Sequence, residues 1–327
     1  MAKISVIVPV YNVEEYIERC VRSLMEQTME DIEYIFVDDA SPDSSITILK
    51  DCIERYPQRK SQTKIIAHGF NKGLPAARNS GLEVACGEYV FHCDSDDYVE
   101  CDMLDTMYQA AAYGDYDLVY CDYYLTYANS ERRISNKEYS DAKAFFQEGL
   151  LGGIVKYNVW NKLVKRSLYF NNSIKFPEGH GMGEDMTMIC LAVCCKSVRH
   201  LDKALYHYNK VNSNAYSFSF TEKHLADIKY NVDRTISYIN SKRKDLDDYY
   251  LAFFKLNTKL PFLFSDKLGD YLTWSNLWPE SNRYIMKNTA QPLRTRLIQW
   301  VASKRLYPLI RIYFSVVYKV VYRKLYN

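Results

Sequence analysis

The run ISVIVPV, Ile4 to Val10, is apolar at consecutive positions rather than alternate ones. A strand of that kind needs cover on both faces, which calls for helices on either side of a parallel sheet. The same rhythm repeats through the first hundred residues. VEEYIERCVRSLMEQT (13–28) sets Tyr16, Ile17, Cys20, Val21, Leu24 and Met25 on one helical stripe. IEYIFVDD (32–39) is a second buried strand; TKIIAH (63–68) is a third strand and GEYVFHC (87–93) a fourth, buried one. Between them, SPDSSITILKDCIERY reads as a helix with Ser41 as N-cap and Pro42 at its first position, and LPAARNSGLEVAC (74–86) as another. Strands alternating with helices of this length predict βαβ units with right-handed crossovers, and so an α/β fold.

After residue 100 the order is less regular. DYDLVYCDYYLTY (115–127) and VRHLDKALYHYN (198–209) read as strands. SDAKAFFQEGLLG is predicted as a helix capped by Ser140, NVWNKLVKRSLY (158–169) as a short amphipathic helix, and GEDMTMICLAVCC (183–195) as an apolar helix that starts at acids. From about Thr221 the pattern is helical, punctuated by Pro261, Pro279, Pro292 and Pro308. The expected division is a sheet domain over 1–220, with halves 1–100 and 101–220, and a helical region over 221–327.

With 48% hydrophobic and 25% charged residues, the 327-residue chain has the composition of a globular protein with a substantial core. A net charge of +2 gives no reason to expect a nucleic-acid partner. The charge is unevenly placed, however: Ser281 to Asn327 holds ten Lys or Arg and no Asp or Glu. The nine cysteines are odd in number, lack a CxxC pair and mostly sit in apolar runs, so they read as buried reduced thiols of a cytosolic protein. MAKISVIVPVYN is too short for a signal peptide, and no run of about 18 uncharged apolar residues suggests a spanning helix.

In open α/β sheets ligands bind beyond the carboxyl ends of the strands. Here those ends carry Pro9-Val10-Tyr11-Asn12, then Asp38-Asp39, then His68 with NKGLPAARN, and then Asp94-Ser95-Asp96-Asp97. Two carboxylates in a D-x-D spacing can approach one hard cation, leaving sites for substrate phosphates. The alternative for 94–97 is a solvated acidic turn. A carboxylate at Asp38-Asp39 can accept the imide N–H of uracil, with Tyr11 stacking on the base; helix capping by Asp39 or Ser41 is the alternative. Asn71-Lys72-Gly73 forms a turn, and Arg78 in the following helix can reach a diphosphate or form a surface ion pair.

VIVPVYNVEEYIERCVRSLMEQT, FVDDASPDSS, NKGLPAARNSGL, GEYVFHCDSDDYV, VWNKLVKRSLY and GEDMTM occur in that order. Together, over roughly Ile4 to Tyr208, they resemble the family 2 glycosyltransferases. The resemblance implies the GT-A fold, a Rossmann-like mostly parallel sheet flanked by helices, here with a helical C-terminal extension. It also implies a nucleotide-diphospho-sugar donor, Mn²⁺ or Mg²⁺, and inversion at the anomeric carbon. On the same ground Pro9, Tyr11, Asp38, Asp39, Arg78, Asp94 and Ser95 are expected at the donor, and Asp94, Asp96 and Asp97 at the metal. The division of labour among those three acids stays open. Glu184-Asp185 resembles the motif that supplies the catalytic base, Asp185, and Trp160 and Lys162 resemble one near the acceptor or donor sugar. The segment YHYNKVNSNAYS resembles a looser motif in which Arg is expected where Asn209 stands, so a role of His207 at the metal stays open.

A sugar hydroxyl is a weak nucleophile, and a carboxylate within about 3 Å can take its proton, contributing typically 10²–10⁴-fold. A helix N-terminus at Asp185 is expected to keep that carboxylate ionised; the bland reading is that Glu184 and Asp185 are ordinary first-turn acids. The expected activity is therefore transfer of a hexose or N-acetylhexosamine from a UDP-sugar to a glycan or lipid-linked acceptor of a surface polysaccharide. A rival is an inactive sugar-nucleotide-binding or assembly protein on the same fold, disfavoured by the coexistence of the DSDD acids and the Glu-Asp pair. A nucleotidyltransferase would want a glycine-rich basic loop, and VIVPVYNVEEY has no glycine. The basic, aromatic-rich tail (290–327) suits the inner face of an anionic membrane, or else packs on the protein or on a second copy.

Overall fold

A computed structural model describes residues 2–212, 221–265 and 267–317. Residues 213–217 of the Tyr206–Ser217 motif and residues 318–327 of the basic tail lie outside the described residues. The chain forms two compact units, Met1–Phe145 with Tyr157–Lys242, and Phe146–Lys156 with Arg243–Asn327.

The first unit runs β1 (Ile4–Val10), α1 (Ile17–Met25), β2 (Ile32–Asp38), α2 (Ser45–Glu54), α3 (Pro57–Lys60), β3 (Thr63–Ala67), α4 (Leu74–Val84), β4 (Tyr89–His92), β5 (Tyr98–Val99) and α5 (Met103–Tyr113). It continues with β6 (Leu118–Thr126), β7 (Glu131–Ile134), α6 (Ala142–Ala144), β8 (Lys162–Lys165), α7 (Arg166–Asn171), α8 (Thr187–Ala192), β9 (Val198–Asn209) and α9 (Glu222–Lys242). The strands lie in the order β3-β2-β1-β4-β8-β6-β9-β5, with β7 on β6. As the apolar runs demand, β1, β2, β3 and β4 are parallel, and every residue of β1 is buried. The second half is mixed: β8 is antiparallel to both β4 and β6, β5 to β9 and β7 to β6, while β6 and β9 are parallel.

Three local expectations give way. KLVK is strand β8, not part of a helix, because Val164 pairs with Val90 and Leu163 with Val119 between two strands already in place. The second helix starts at Ser45 rather than at Pro42, since Asp43 closes the turn before it by accepting from Ser41 Oγ at 2.7 Å and Ser45 N at 3.1 Å. Asp141, not Ser140, caps α6, accepting from Ala144 N at 2.7 Å, and the chain then widens into a π-helix over Phe145–Leu151. The cysteines carry no disulfide, but Cys86 and Cys101 are exposed rather than buried.

Two contacts fix the layers around β1. Buried Glu33 on β2 accepts from Ser5 Oγ at 2.5 Å, Cys86 N at 2.6 Å and Lys64 Nζ at 3.0 Å. These donors hold its carboxyl down at about 2 despite burial. On α4, Gly81 lies so close to β1 that a Cβ there would stand 2.4 Å from Ile7 Cγ2.

The second unit contains α10 (Asp248–Lys259), α11 (Leu268–Asn276), α12 (Leu293–Ser303) and α13 (Tyr307–Val316), with 3₁₀ turns over Leu260–Leu263 and Pro279–Lys287. Residues 146–156 belong to it because Asn257 Nδ2 donates to Leu151 O at 2.9 Å and Gln291 Nε2 to Gly153 O at 3.1 Å. Conversely, α9 belongs with the sheet, so the division by contacts falls after Lys242 rather than at residue 220.

Candidate functional site

Register aligns the strand ends. Val10 pairs with Asp38, Asp38 with Ala67, and Ile7 with His92, so the segments after β1 to β4 emerge at one sheet edge. Pro9 is buried in β1, while Tyr11 just beyond it is 47% exposed and offers a ring face. Asp38 Oδ1 accepts from Ser41 N at 2.9 Å. Asp39 is buried and fully engaged: it accepts from Lys72 N and Gly73 N, each at 2.8 Å, and pairs with His68 Nδ1 at 2.6 Å. Asp39 therefore pins the 71–73 turn, with Gly73 at φ +87°.

Arg78 is the hub. Its side chain is 1% exposed, yet it carries a full charge into the edge from α4. Nη2 donates to Asp94 Oδ1 at 2.9 Å, Nη1 to Asp185 Oδ1 at 3.3 Å, and Glu184 Oε1 lies 3.9 Å away. Three carboxylates from two distant segments thus share one buried guanidinium, whose planar fork suits such bridging. Burial pushes the Asp185 carboxyl up to about 6, against the pull of Arg78. Burial and the Asp185 charge raise Glu184 well above the carboxylate range. Asp185 lies in the single 3₁₀ turn Glu184–Met186 that leads into α8, where desolvation outweighs the helix N-terminus and raises its pKa.

The acids at 94–97 face different ways. Asp97 is fully buried, accepting from Tyr206 Oη and Asn209 N, each at 2.7 Å. Burial, with Asp96 and Asp94 nearby, raises its pKa well above the usual range. Asp96 accepts from Asn212 Nδ2 at 2.8 Å, and burial and Asp94 raise it too. Asp94 keeps a quarter of its side chain exposed. Ser95, between them, is buried. Among the described residues no group of three or more His, Cys, Asp or Glu side chains is arranged to hold a metal. Asp97, fully buried with both carboxylate oxygens engaged, supports the turn. Asp94 and Asp96 repel each other, and such a pair fits a divalent cation that takes its remaining ligands from phosphate oxygens.

Trp160 is nearly buried, stacked on Tyr206 at 4.5 Å between ring centroids and on Tyr208 at 5.1 Å, so it backs the acid turn. Lys162 is buried; its ammonium donates to Asn158 O at 2.7 Å and Asn161 Oδ1 at 2.8 Å. Burial brings its pKa down to about 7, with Asp185 pulling the other way. The His207 ring stacks on Tyr98 and Tyr124, and its nitrogens meet Glu131 at 2.8 Å and Glu100 at 2.9 Å.

Several partners escape the sequence reading. Asn209, where Arg was expected, also donates through Nδ2 to Asp96 O at 3.1 Å. On α9, Asn231 Nδ2 donates to His180 O at 3.1 Å and Met182 O at 3.0 Å, while the His180 ring stacks on Tyr230 at 3.6 Å and pairs with Asp227 at 3.2 Å. These contacts hold the glycine-rich loop that delivers Glu184 and Asp185, with Gly179 and Gly183 at positive φ. A helix that begins at residue 222 is too far along the chain for its link to position 185 to be read from spacing.

Residues 5–187 match the model of glycosyl transferase family 2. EpsH of Bacillus subtilis (strain 168), assigned as a glycosyltransferase, is 34% identical over 212 residues, 63% of this chain and 60% of EpsH. The chain thus spans about three fifths of that relative's length. TarS 1–349 of S. aureus, crystallised with UDP-GlcNAc, superposes with a TM-score of 0.68 over 97% of this chain and 92% of that one, at 22% identity. The mannosyltransferase PcManGT of Pyrobaculum calidifontis, in complex with GDP-Man and Mn2+, gives a TM-score of 0.53 over 96% of this chain and 83% of that one, at 17% identity. The family model covers more than half of the sequence, the fold matches those of known transferases, and the motifs meet at one sheet edge: the chain belongs to glycosyltransferase family 2.

Proposed function

We propose that the chain is an inverting glycosyltransferase that moves a hexose or N-acetylhexosamine from a UDP-sugar to a glycan or lipid-linked acceptor in surface polysaccharide synthesis. The observation that carries the reading is Arg78, a buried cation between Asp94 on the acid turn and Asp185 on the loop opposite. UDP as the nucleotide is supported by TarS, which was crystallised with UDP-GlcNAc. Peripheral contact of residues 290–327 with the inner membrane face is part of the same reading.

Tyr11 stacks on the base and Asp38 accepts its imide N–H. Asp94 and Asp96 would hold Mn²⁺ or Mg²⁺; when bound, the cation neutralises charge on the leaving diphosphate. Mn2+ accompanies GDP-Man in PcManGT. Arg78 supplies a fixed positive charge to the same oxygens without reorganising. Asp185 removes the acceptor hydroxyl proton, and a pKa of about 6 leaves it mostly ionised at neutral pH while keeping it a competent base. The acceptor oxygen then attacks the anomeric carbon as the bond to the diphosphate breaks, and one displacement inverts that carbon.

Asp185→Asn is expected to abolish transfer while leaving UDP binding intact. A variant with normal turnover would overturn the base assignment. A panel of UDP-sugars with Mn²⁺, scored by UDP release and thermal shift, tests the donor class; no response to any of them removes it.

A further inference from the structure

The two last helices of the second unit each carry two apolar stripes. On α12, Ile298 and Ala302 are buried, and on α13, Ile310 and Phe314. These residues pack inside the unit. A second set repeats at helical spacing on the outside: Leu293, Leu297 and Trp300 on α12, and Leu309, Ile312 and Val316 on α13. All six are between 44% and 61% exposed. Steps of three and four residues place each trio on one ridge of its helix. An isolated exposed leucine needs no explanation, but two ridges in consecutive helices call for a partner.

Charge selects the partner. Arg294, Lys304, Arg305 and Arg311 are exposed beside these ridges, and among the described residues none of them pairs with a carboxylate. From Ser281 onward the sequence holds no acid at all. A second copy of the same face would bring like charges together, whereas an anionic bilayer offers both acyl chains for the ridges and headgroups for the cations. Among the described residues no helix is long and apolar enough to cross a membrane, so the helices lie on the surface rather than span it.

We propose that α12 and α13 form an interfacial docking element, with the Leu293-Leu297-Trp300 and Leu309-Ile312-Val316 ridges inserted among acyl chains of an anionic membrane and the flanking Arg and Lys at its headgroups. This deepens the membrane contact of the preceding reading, though its test does not depend on transfer.

Full-length protein is co-sedimented with phosphatidylcholine vesicles and with vesicles that also contain phosphatidylglycerol. Binding to the anionic vesicles alone, weakening as salt rises, is expected. Leu297→Glu and Ile312→Glu should each reduce it at least about tenfold, since a charge in the apolar layer is costly. Brominated acyl chains should quench part of the wild-type fluorescence, and that quenched component should be absent from Trp300→Phe. Donor-site integrity is checked in each variant by UDP titration, which separates failure of this element from failure of the transferase reading. No pelleting by wild type, equal pelleting by the variants, or a dimer in vesicle-free solution that the same variants dissociate would overturn the proposal.

Discussion

Arg78 Nη1 lies 3.3 Å from Asp185 Oδ1, joining helix α4 to a loop 107 residues further along the chain. The pair sets the charge state of the candidate base. Removing the cation removes the largest influence that opposes burial, so the Asp185 pKa should rise. In Arg78→Gln the acid limb of the kcat/KM profile, expected near pH 6 in wild type, should move to higher pH, with the plateau falling about 10²–10³-fold as electrostatic stabilisation is lost. Arg78→Lys should restore little, because one ammonium cannot span Asp94 and Asp185 as a guanidinium does. An unmoved acid limb in Arg78→Gln would refute the coupling.

Asn231 offers a test of loop positioning. Its amide donates to two carbonyls of the loop that carries Asp185, at 3.1 and 3.0 Å. Asn231→Ala and Asn231→Asp both lack those donors. Each should lower kcat, by up to about 10²-fold if the base shifts by an ångström, while the donor KM stays near its wild-type value. A purely structural residue would instead lower the active fraction, which active-site titration detects.

Tyr206→Phe removes the donor to buried Asp97 and a bond to Asp94 N at 3.2 Å. Leaving a buried acceptor short of a partner costs about 1–3 kcal/mol. Thermal unfolding should show that loss, and titration of Mn²⁺ with UDP should show weakened binding as the turn loosens. Unchanged stability would mean that Asp97 is held by Asn209 alone.

Glu33 predicts the acid limit of stability. Its carboxyl is depressed to about 2 when folded, below the ordinary value of 4.5. A depressed acid contributes stability that is fully present above its unfolded pKa and is lost as pH falls from about 4.5 to about 2, up to about 3 kcal/mol in all. Urea midpoints measured across that window should decline in wild type and much less steeply in Glu33→Gln. Equal slopes would place the acid sensitivity elsewhere.

The first hundred residues were legible because consecutive apolar residues admit few environments: β1, β2 and β4 lie where their runs end. The strand KLVK was not, since a short apolar pair between lysines fits either helix or sheet until β4 and β6 supply partners. The acids at 94–97 were legible as a group but not as individuals. Nothing in DSDD distinguishes Asp97 from Asp94; Tyr206 and Asn209, more than a hundred residues later, turn one carboxylate inward. Similarly, Arg78, Glu184 and Asp185 could each be picked out, but their sharing of one buried charge is a property of packing. The inward acids and the raised pKa of Asp185 follow from desolvation, which a sequence does not display.

The glycine at 81 carries a consequence for packing. Its missing side chain lets α4 rest against Ile7, and α4 holds Arg78 one turn earlier. A single added methyl would stand 2.4 Å from Ile7 Cγ2, so either that side chain or the helix bearing Arg78 would have to shift. Gly81 thus belongs to the NKGLPAARNSGL motif for a packing reason: it sets how closely the helix that carries Arg78 approaches the sheet.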